Sequence, residues 1–241
     1  VFIWSSALAL SGAAMTWLGG WPGQWPAGPG PWWAWGRALS NFVVVYNLVY
    51  VAELVGLRLL IPTPRPGVYA TNRALRPWHP RDRQLVWSCL IATLTKARYE
   101  APFPAFLVFH LSNLPPMRWL MGPIFGPRSR SCYVSEPLIL DPSFVEIGRN
   151  VVIGSHASIA GHIQVPDMVQ IRKTTIEDDC LIGANALIFG GVQVKRGSMV
   201  AGGSVVPPYT VIGPYEYWSG VPAVKVRDLR PEEAVNAGTG A

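Results

Sequence analysis

The chain has 241 residues, of which 50% are hydrophobic and only 14% charged, with a formal net charge of +6. That balance is more apolar than an ordinary soluble enzyme carries. The basicity is confined to residues 1–130, with 12 Lys and Arg against three Asp and Glu, whereas residues 131–241 hold eight against 11. Because those arginines flank apolar runs and form no basic module, they point to anionic lipid headgroups and away from nucleic acid. Cys89, Cys132 and Cys180 form no short pair, which suggests neither a disulfide framework nor a zinc knuckle and suits a reducing compartment. The start at Val1 leaves open a truncated N-terminus or a segment of a longer chain.

In chain order, residues 1–18 carry no charge, and Phe42–Ile61 is an apolar run broken only by Glu53 and Arg58. Each approaches the roughly 20 helical residues that cross a bilayer core. Residues 1–62 are therefore expected to form a two-span membrane hairpin, with a buried hairpin of a soluble protein as the alternative. Glu53 is expected to face Arg58 or the other helix. Between the runs, GGWPGQWPAGPGPWWAWGR joins helix-breaking Gly and Pro to interfacial Trp and reads as a turn at the membrane surface. Residues 63–131 read as a basic, amphipathic platform with Arg65, Arg73, Arg76, Arg81, Arg83, Lys96 and Arg98 after the second run. By the positive-inside rule the second half then lies on the cytoplasmic side. Residues 84–121 read as two short amphipathic segments parted at Pro102–Pro104, with His79 and His110 as structural or interfacial histidines.

From residue 132 the pattern changes to a period of six. Aliphatic side chains stand at Ile147, Ile153 and Ile159, then at Ile176, Ile182, Ile188, Val194, Val200, Val206 and Ile212. Four positions after each stands a compact residue, at Val151, Ala157, Cys180, Ala186, Val192, Ser198, Ser204 and Thr210, with Ile163 as the bulky exception. Six fits neither a helix nor a simple strand, so the chain must turn regularly, with large aliphatics inside and glycines at tight corners.

These residues, with IEDDCLIGANALIFGGVQV, MVAGGSVV and WSGVPAVKVR, resemble the hexapeptide-repeat acyltransferase superfamily. The resemblance covers about residues 132–230 and implies a left-handed parallel β-helix with three hexads per turn. The expected fold class is thus mainly β, a left-handed β-helix preceded by an α-helical membrane-associated region, with residues 231–241 as a disordered tail. The resemblance also implies a homotrimer with its active sites between subunits. EPLILDPSFVEIG is similar to the strand that opens the coil in members with a preceding platform. The layout of two apolar runs, a platform and a β-helix also resembles one repeat unit of the C-terminal membrane region of polylysine-type nonribosomal peptide synthetases.

The period breaks once, between Ile159 and Ile176, where 17 residues stand in place of 12 or 18, so HIQVPDMVQIRKT is expected to project as a loop. In the resembling family such a loop overhangs the neighbouring subunit's groove and a histidine at its root is the general base, which implies His162 here. A neutral imidazole suits the removal of a proton from an attacking hydroxyl or amine. His156, six residues earlier, is the rival base, and a surface histidine without a role stays open for both. Gly190–Gly191 would supply oxyanion donors. Gly190, Gly202 and Gly203 would let acetyl-CoA or another acyl-CoA approach the backbone, and Lys225 and Arg227 would meet its phosphates or stand as solvated charges. Asp167, Arg172 and Lys173 on the loop are the acceptor-contact candidates. Cys180 reads as core filler, and Tyr215–Trp218 as a cap over the last coil.

The expected function is acyl transfer from a CoA thioester to a hydroxyl or amine of a small molecule or envelope polymer at the membrane. Zinc hydration chemistry needs three converging histidines, where the β-helix portion holds His156 and His162 alone, so no metal is expected. Two further readings remain. An amide-forming condensation on a carrier-bound thioester keeps His162 and dispenses with Lys225 and Arg227, and a non-catalytic scaffold needs none of them.

Overall fold

A computed structural model describes residues 2–18, 20–21, 32–71, 78–99, 133–134 and 138–233. Helices α1 (Phe2–Trp17) and α2 (Trp32–Leu60) pack antiparallel. Ser6 Oγ donates to Glu53 Oε2 at 3.2 Å towards one end, and the Trp21 and Phe42 rings lie 5.7 Å apart towards the other. Glu53 therefore faces the other helix. Helix α2 begins ten residues before the expected run, at Trp32 instead of Phe42, because WWAWGR contains no proline to stop it. The rest of the expected turn, residues 22–31, lies outside the described residues. Among the described residues Ala34–Leu60 is the one helix long and apolar enough to cross a membrane. Helix α1, with 16 residues, rises about 24 Å and falls short of a core about 30 Å thick.

Helix α3 (Pro80–Tyr99) is one 20-residue segment that starts four residues before the expected amphipathic piece. It is tied to α2 where the Tyr50 hydroxyl donates to the Ala97 carbonyl at 2.9 Å. The second expected segment, with Pro102, Pro104 and His110, lies outside the described residues.

The period of six becomes three flat faces of parallel strands. One stacks β4 (Val145–Ile147), β9 (Thr174–Ile176), β12 (Gln193–Val194) and β15 (Val211–Ile212). The second stacks β2 (Tyr133–Val134), β5 (Val152–Ile153), β10 (Leu181–Ile182), β13 (Met199–Val200) and β16 (Glu216–Gly220). The third stacks β3 (Leu138–Ile139), β6 (Ser158–Ile159), β11 (Leu187–Ile188) and β14 (Val205–Val206). Leu181 pairs with Met199, one full turn of three hexads later. The architecture is a left-handed parallel β-helix preceded by helices.

All ten aliphatics of the repeat are at most 2% exposed, so the period is an inward-pointing core. Each such side chain contributes about 1.5–3 kcal/mol through burial. The compact residues from Val151 to Ser204 are buried too, and the corners turn through left-handed backbone at every sixth residue, as at Asn185, Gly191 and Gly197. Tyr46, Tyr50, Val51 and Leu54 of α2 and Leu94 of α3 share one continuous core with the coil.

Two expectations need correction. The 17 residues from Ile159 to Ile176 are one hexad step with 11 residues inserted, so the phase is kept. The insertion is also no loop: β7 (His162–Val165) and β8 (Met168–Ile171) form an antiparallel hairpin closed by Pro166–Asp167. Strand β1 (Gly67–Ala70) pairs with β8, so the platform supplies the third strand of this small sheet and does not end where the coil begins. Ile163 escapes the compact rule because it belongs to this hairpin and not to a corner. At the C-terminal end β17 (Ala223–Asp228) folds back on β16, and Trp218 packs on the core. Order continues into the expected tail, since residues 231–233 form a helical turn whose Glu233 Oε2 accepts from Arg230 N at 2.9 Å.

Candidate active site

The register of the third face creates the site. Ile139 pairs with Ile159, and Ile159 with Ile188. Two residues beyond these stand Asp141, Gly161 and Gly190, one above another on successive turns. A Cβ at position 161 would lie 2.6 Å from Phe144 Cβ and 3.0 Å from Asp141 Cβ. A Cβ at position 190 would lie 2.8 Å from the carbonyl oxygen of His162. Only glycine fits either position, and their bareness lets the chain carrying His162 sit close against Asp141.

Asp141 is 5% exposed, and a buried carboxylate needs donors. Its Oδ2 accepts from Gly161 N at 3.2 Å and contacts His162 Nδ1 directly. The hydrogen bond to Asp141 raises the His162 pKa above its ordinary 6.5, opposed by burial and reinforced by the carboxylate's charge. The Nδ1 proton is thereby held towards Asp141, which leaves Nε2 as the basic nitrogen. With 32% of its side chain exposed, the imidazole remains accessible.

The hairpin root is clamped from other sides. Arg172 N donates to the Gly161 carbonyl at 2.8 Å, and Thr174 Oγ1 donates to the Ala160 carbonyl at 2.7 Å. Thr174 Oγ1 also accepts from Gly191 N at 3.2 Å, so this expected oxyanion donor is engaged within the coil. Across the small sheet His162 faces Ile171, which faces Gly67. Ile171 and Val169 are covered by Leu85 of α3 and by Phe144, with Tyr69 packed against them.

The candidate residues separate into groups. His162, Gly190, Gly191 and Arg172 meet at one corner. His156 is exposed at another, with left-handed backbone (φ 59°), and that corner's stack also contains Asn185, Gly202 and Gly203. Asp167 is at the hairpin turn, about 13 Å along the strand from His162, where its carbonyl accepts from Thr71 N at 2.8 Å. Lys173 Nζ is paired with Glu146 Oε1 at 2.8 Å. Lys225 pairs with Glu216 at 2.8 Å and Asp228 at 2.7 Å, and Arg227 pairs with Glu233 at 3.0 Å, all on the second face three turns beyond His162. Cys180 is buried core as expected: burial pushes its thiol up to about 12, and Sγ donates to the Lys195 carbonyl at 3.1 Å.

Sequence reasoning missed Asp141. The signal was present in EPLILDPSF, where Asp141 stands two residues after Ile139 as Gly161 does after Ile159. The 3-10 turn at Pro142–Phe144 hid it by stretching the step from Ile139 to Ile147 to eight residues. Among the described residues no group of three His, Cys, Asp or Glu side chains is placed to hold a metal ion.

Residues 173–208 match the family model described as the hexapeptide repeat of succinyl-transferase. No curated protein matches the sequence. Similar solved structures include a galactoside acetyltransferase in complex with coenzyme A, at 17% identity and TM-score 0.44, over 62% of this chain and 84% of that one. A hexapeptide-repeat acetyltransferase from Vibrio cholerae is 19% identical at TM-score 0.42, over 59% and 93%. An N-acyltransferase from Bacillus cereus, bound to a dTDP-linked amino sugar and coenzyme A, is 18% identical at TM-score 0.36, over 41% of this chain and 59% of that one. This chain thus spans less than two thirds of that N-acyltransferase. The functional reading rests on the geometry of the site itself.

Proposed function

We propose that the chain is a membrane-attached acyltransferase in which His162 is the general base, Asp141 positions it, and an acyl-CoA is the donor. The observation that carries this is the buried Asp141 carboxylate on His162 Nδ1 at the root of a hairpin, within a hexapeptide-repeat coil. In the reaction a hydroxyl or amine gives its proton to His162 Nε2 as its oxygen or nitrogen attacks the thioester carbonyl. The tetrahedral adduct collapses, the C–S bond breaks, and the thiolate takes the proton back from the imidazolium. The products are an ester or amide and the free thiol, with no covalent enzyme intermediate. Asp141 stabilises the imidazolium between the two transfers.

Membrane attachment is supported by the exposed apolar side chains of the helices, including Leu39, Val44, Leu48 and Leu60 on α2 and Trp17 on α1. In this reading α2 spans the bilayer, the coil lies on the cytoplasmic side, and three copies assemble with the site between them. Gly190, Gly202 and Gly203 line the donor's path, while Asp167, Arg172 and Lys173 meet the acceptor. The test is thiol release from acetyl-CoA by the detergent-purified chain with hydroxyl and amine acceptors. His162→Ala is expected to lower it by orders of magnitude, His156→Ala to leave it unchanged, and unchanged release by the His162 variant overturns the mechanism.

A second reading is favoured by the charge pairs at the C-terminal hairpin. Lys225 and Arg227 are already held by Glu216, Asp228 and Glu233, so CoA phosphates would meet them alongside or in exchange for these carboxylates. A carrier-bound thioester needs no such exchange. Thermal unfolding with acetyl-CoA separates the two: a raised transition, lost in the Lys225→Gln/Arg227→Gln variant, supports the CoA donor, and no rise supports the carrier.

A further inference from the structure

Beside the small sheet that begins with His162, the start of β1 and the first turn of α3 enclose a cleft of about 740 Å³, lined among others by Arg65, Tyr69, Arg83, Gln84 and Leu85. The backbone of Arg65 is pinned from both sides. Its N–H donates to Gln84 Oε1 at 2.8 Å, and its carbonyl accepts from the Tyr69 hydroxyl at 2.6 Å. Its guanidinium enters none of the carboxylate pairs that engage Lys173, Lys195, Arg196, Lys225 and Arg227 among the described residues. Arg83 lies 4.9 Å over the Trp87 ring, which orients the guanidinium and leaves its edge for an anion. The acid on this wall, Asp82, is 4% exposed and already engaged.

The cleft also stands where the chain leaves the long apolar helix. Leu60, which ends α2, is 80% exposed, as is Trp78 just ahead of α3, and Arg65 follows Leu60 by five residues. Exposed tryptophan and leucine next to arginines are the composition of a bilayer boundary. Through Gly67, Ile171 and His162 the cleft is two strand spacings, about 10 Å, from the imidazole's backbone. Tyr69, which lines it, shares a sheet face with His162.

We propose that Arg65 and Arg83 bind the phosphate of a membrane lipid, and that the acyl acceptor is carried on such a lipid phosphate ester. The acceptor half of this rests on the acyltransferase reading of His162, whereas the phosphate site stands without it. A phosphate held between the two guanidinium groups at the bilayer surface leaves the remainder of the headgroup within reach of the base.

The experiment is thermal unfolding of the full chain in phosphatidylcholine-containing detergent micelles titrated with phosphatidic acid, with inorganic phosphate and acetyl-CoA as separate arms. Phosphatidic acid is expected to raise the transition. The Arg65→Gln/Arg83→Gln variant is expected to need about tenfold more of it or to lose the response, because each good guanidinium–phosphate contact is a charge-assisted hydrogen bond. Arg83→Lys, which keeps the charge, retains part of the response, and Arg230→Gln, a surface arginine elsewhere, retains all of it. An unchanged titration in the double variant overturns the site, and a full response to inorganic phosphate alone overturns the lipid assignment. Loss of the lipid response with the acetyl-CoA response intact leaves the acyltransferase reading standing. Absence of an acetyl-CoA response in the native chain overturns the CoA donor and leaves the cleft.

Discussion

In the proposed mechanism the neutral imidazole of His162, with Asp141 holding the Nδ1 proton, is the active form, and its pKa is raised by that same contact. The acid limb of kcat/KM is therefore expected to lie above pH 6.5, with activity falling as pH drops through it. Asp141→Asn removes the cause of the shift, so the limb moves to lower pH while the plateau falls, because the amide no longer fixes the tautomer. His162→Ala is expected to lower the rate about 10²–10⁴-fold, the usual contribution of a general base. For stability the sign is opposite. A raised folded pKa makes the pair's contribution complete below pH 6.5 and lost as pH rises through the folded value. The stability gap between the native chain and Asp141→Asn, read by denaturant unfolding, should accordingly narrow as pH rises from 6. Gly161→Ala forces a Cβ to within 3.0 Å of Phe144 and Asp141 and is expected to reduce the rate as severely as Asp141→Asn while the coil remains folded. Cys180→Ala is expected to lower the Tm and leave the rate unchanged, since the thiol is core and carries no chemistry.

At the scale of the element, the hairpin and α2 matter most. The hairpin would be a poor mount for a base if it were a loop, but strand β1 on one side and the Gly161–Arg172 hydrogen bond at its root make it part of a sheet. Helix α2 has two different surfaces: Tyr46, Tyr50, Val51 and Leu54 face the protein core, while Leu39, Val44 and Leu48 are more than half exposed. An arginine on the exposed surface is expected to weaken membrane insertion by about 2.5–3.5 kcal/mol without opening the core. Vesicle flotation of Leu48→Arg checks this, and flotation equal to that of the native chain would remove the case for a spanning helix.

For the whole molecule, the coil behaves as a stack in which each turn buries the next, and α2 and α3 close its core on the side of the first turns. The arrangement joins a membrane-length helix, a small sheet and the coil through shared buried contacts. The period of six was legible residue by residue because burial repeats with the coil, and ten inward aliphatics leave little freedom. The interruption that begins at His162 was legible because the period breaks there. Strand β1 was not, since four residues of GVYA carry no pattern that distinguishes them from a linker, and pairing with β8 is a long-range choice. Asp141 was not either, because a turn of three residues shifts it out of phase. Sequence by itself thus determined the coil, its inward side chains and the place where it is interrupted, all properties of local periodicity. Only the tertiary structure decided which carboxylate stands under the histidine and which strand steadies it, because each depends on contacts between residues 20 to more than 100 positions apart.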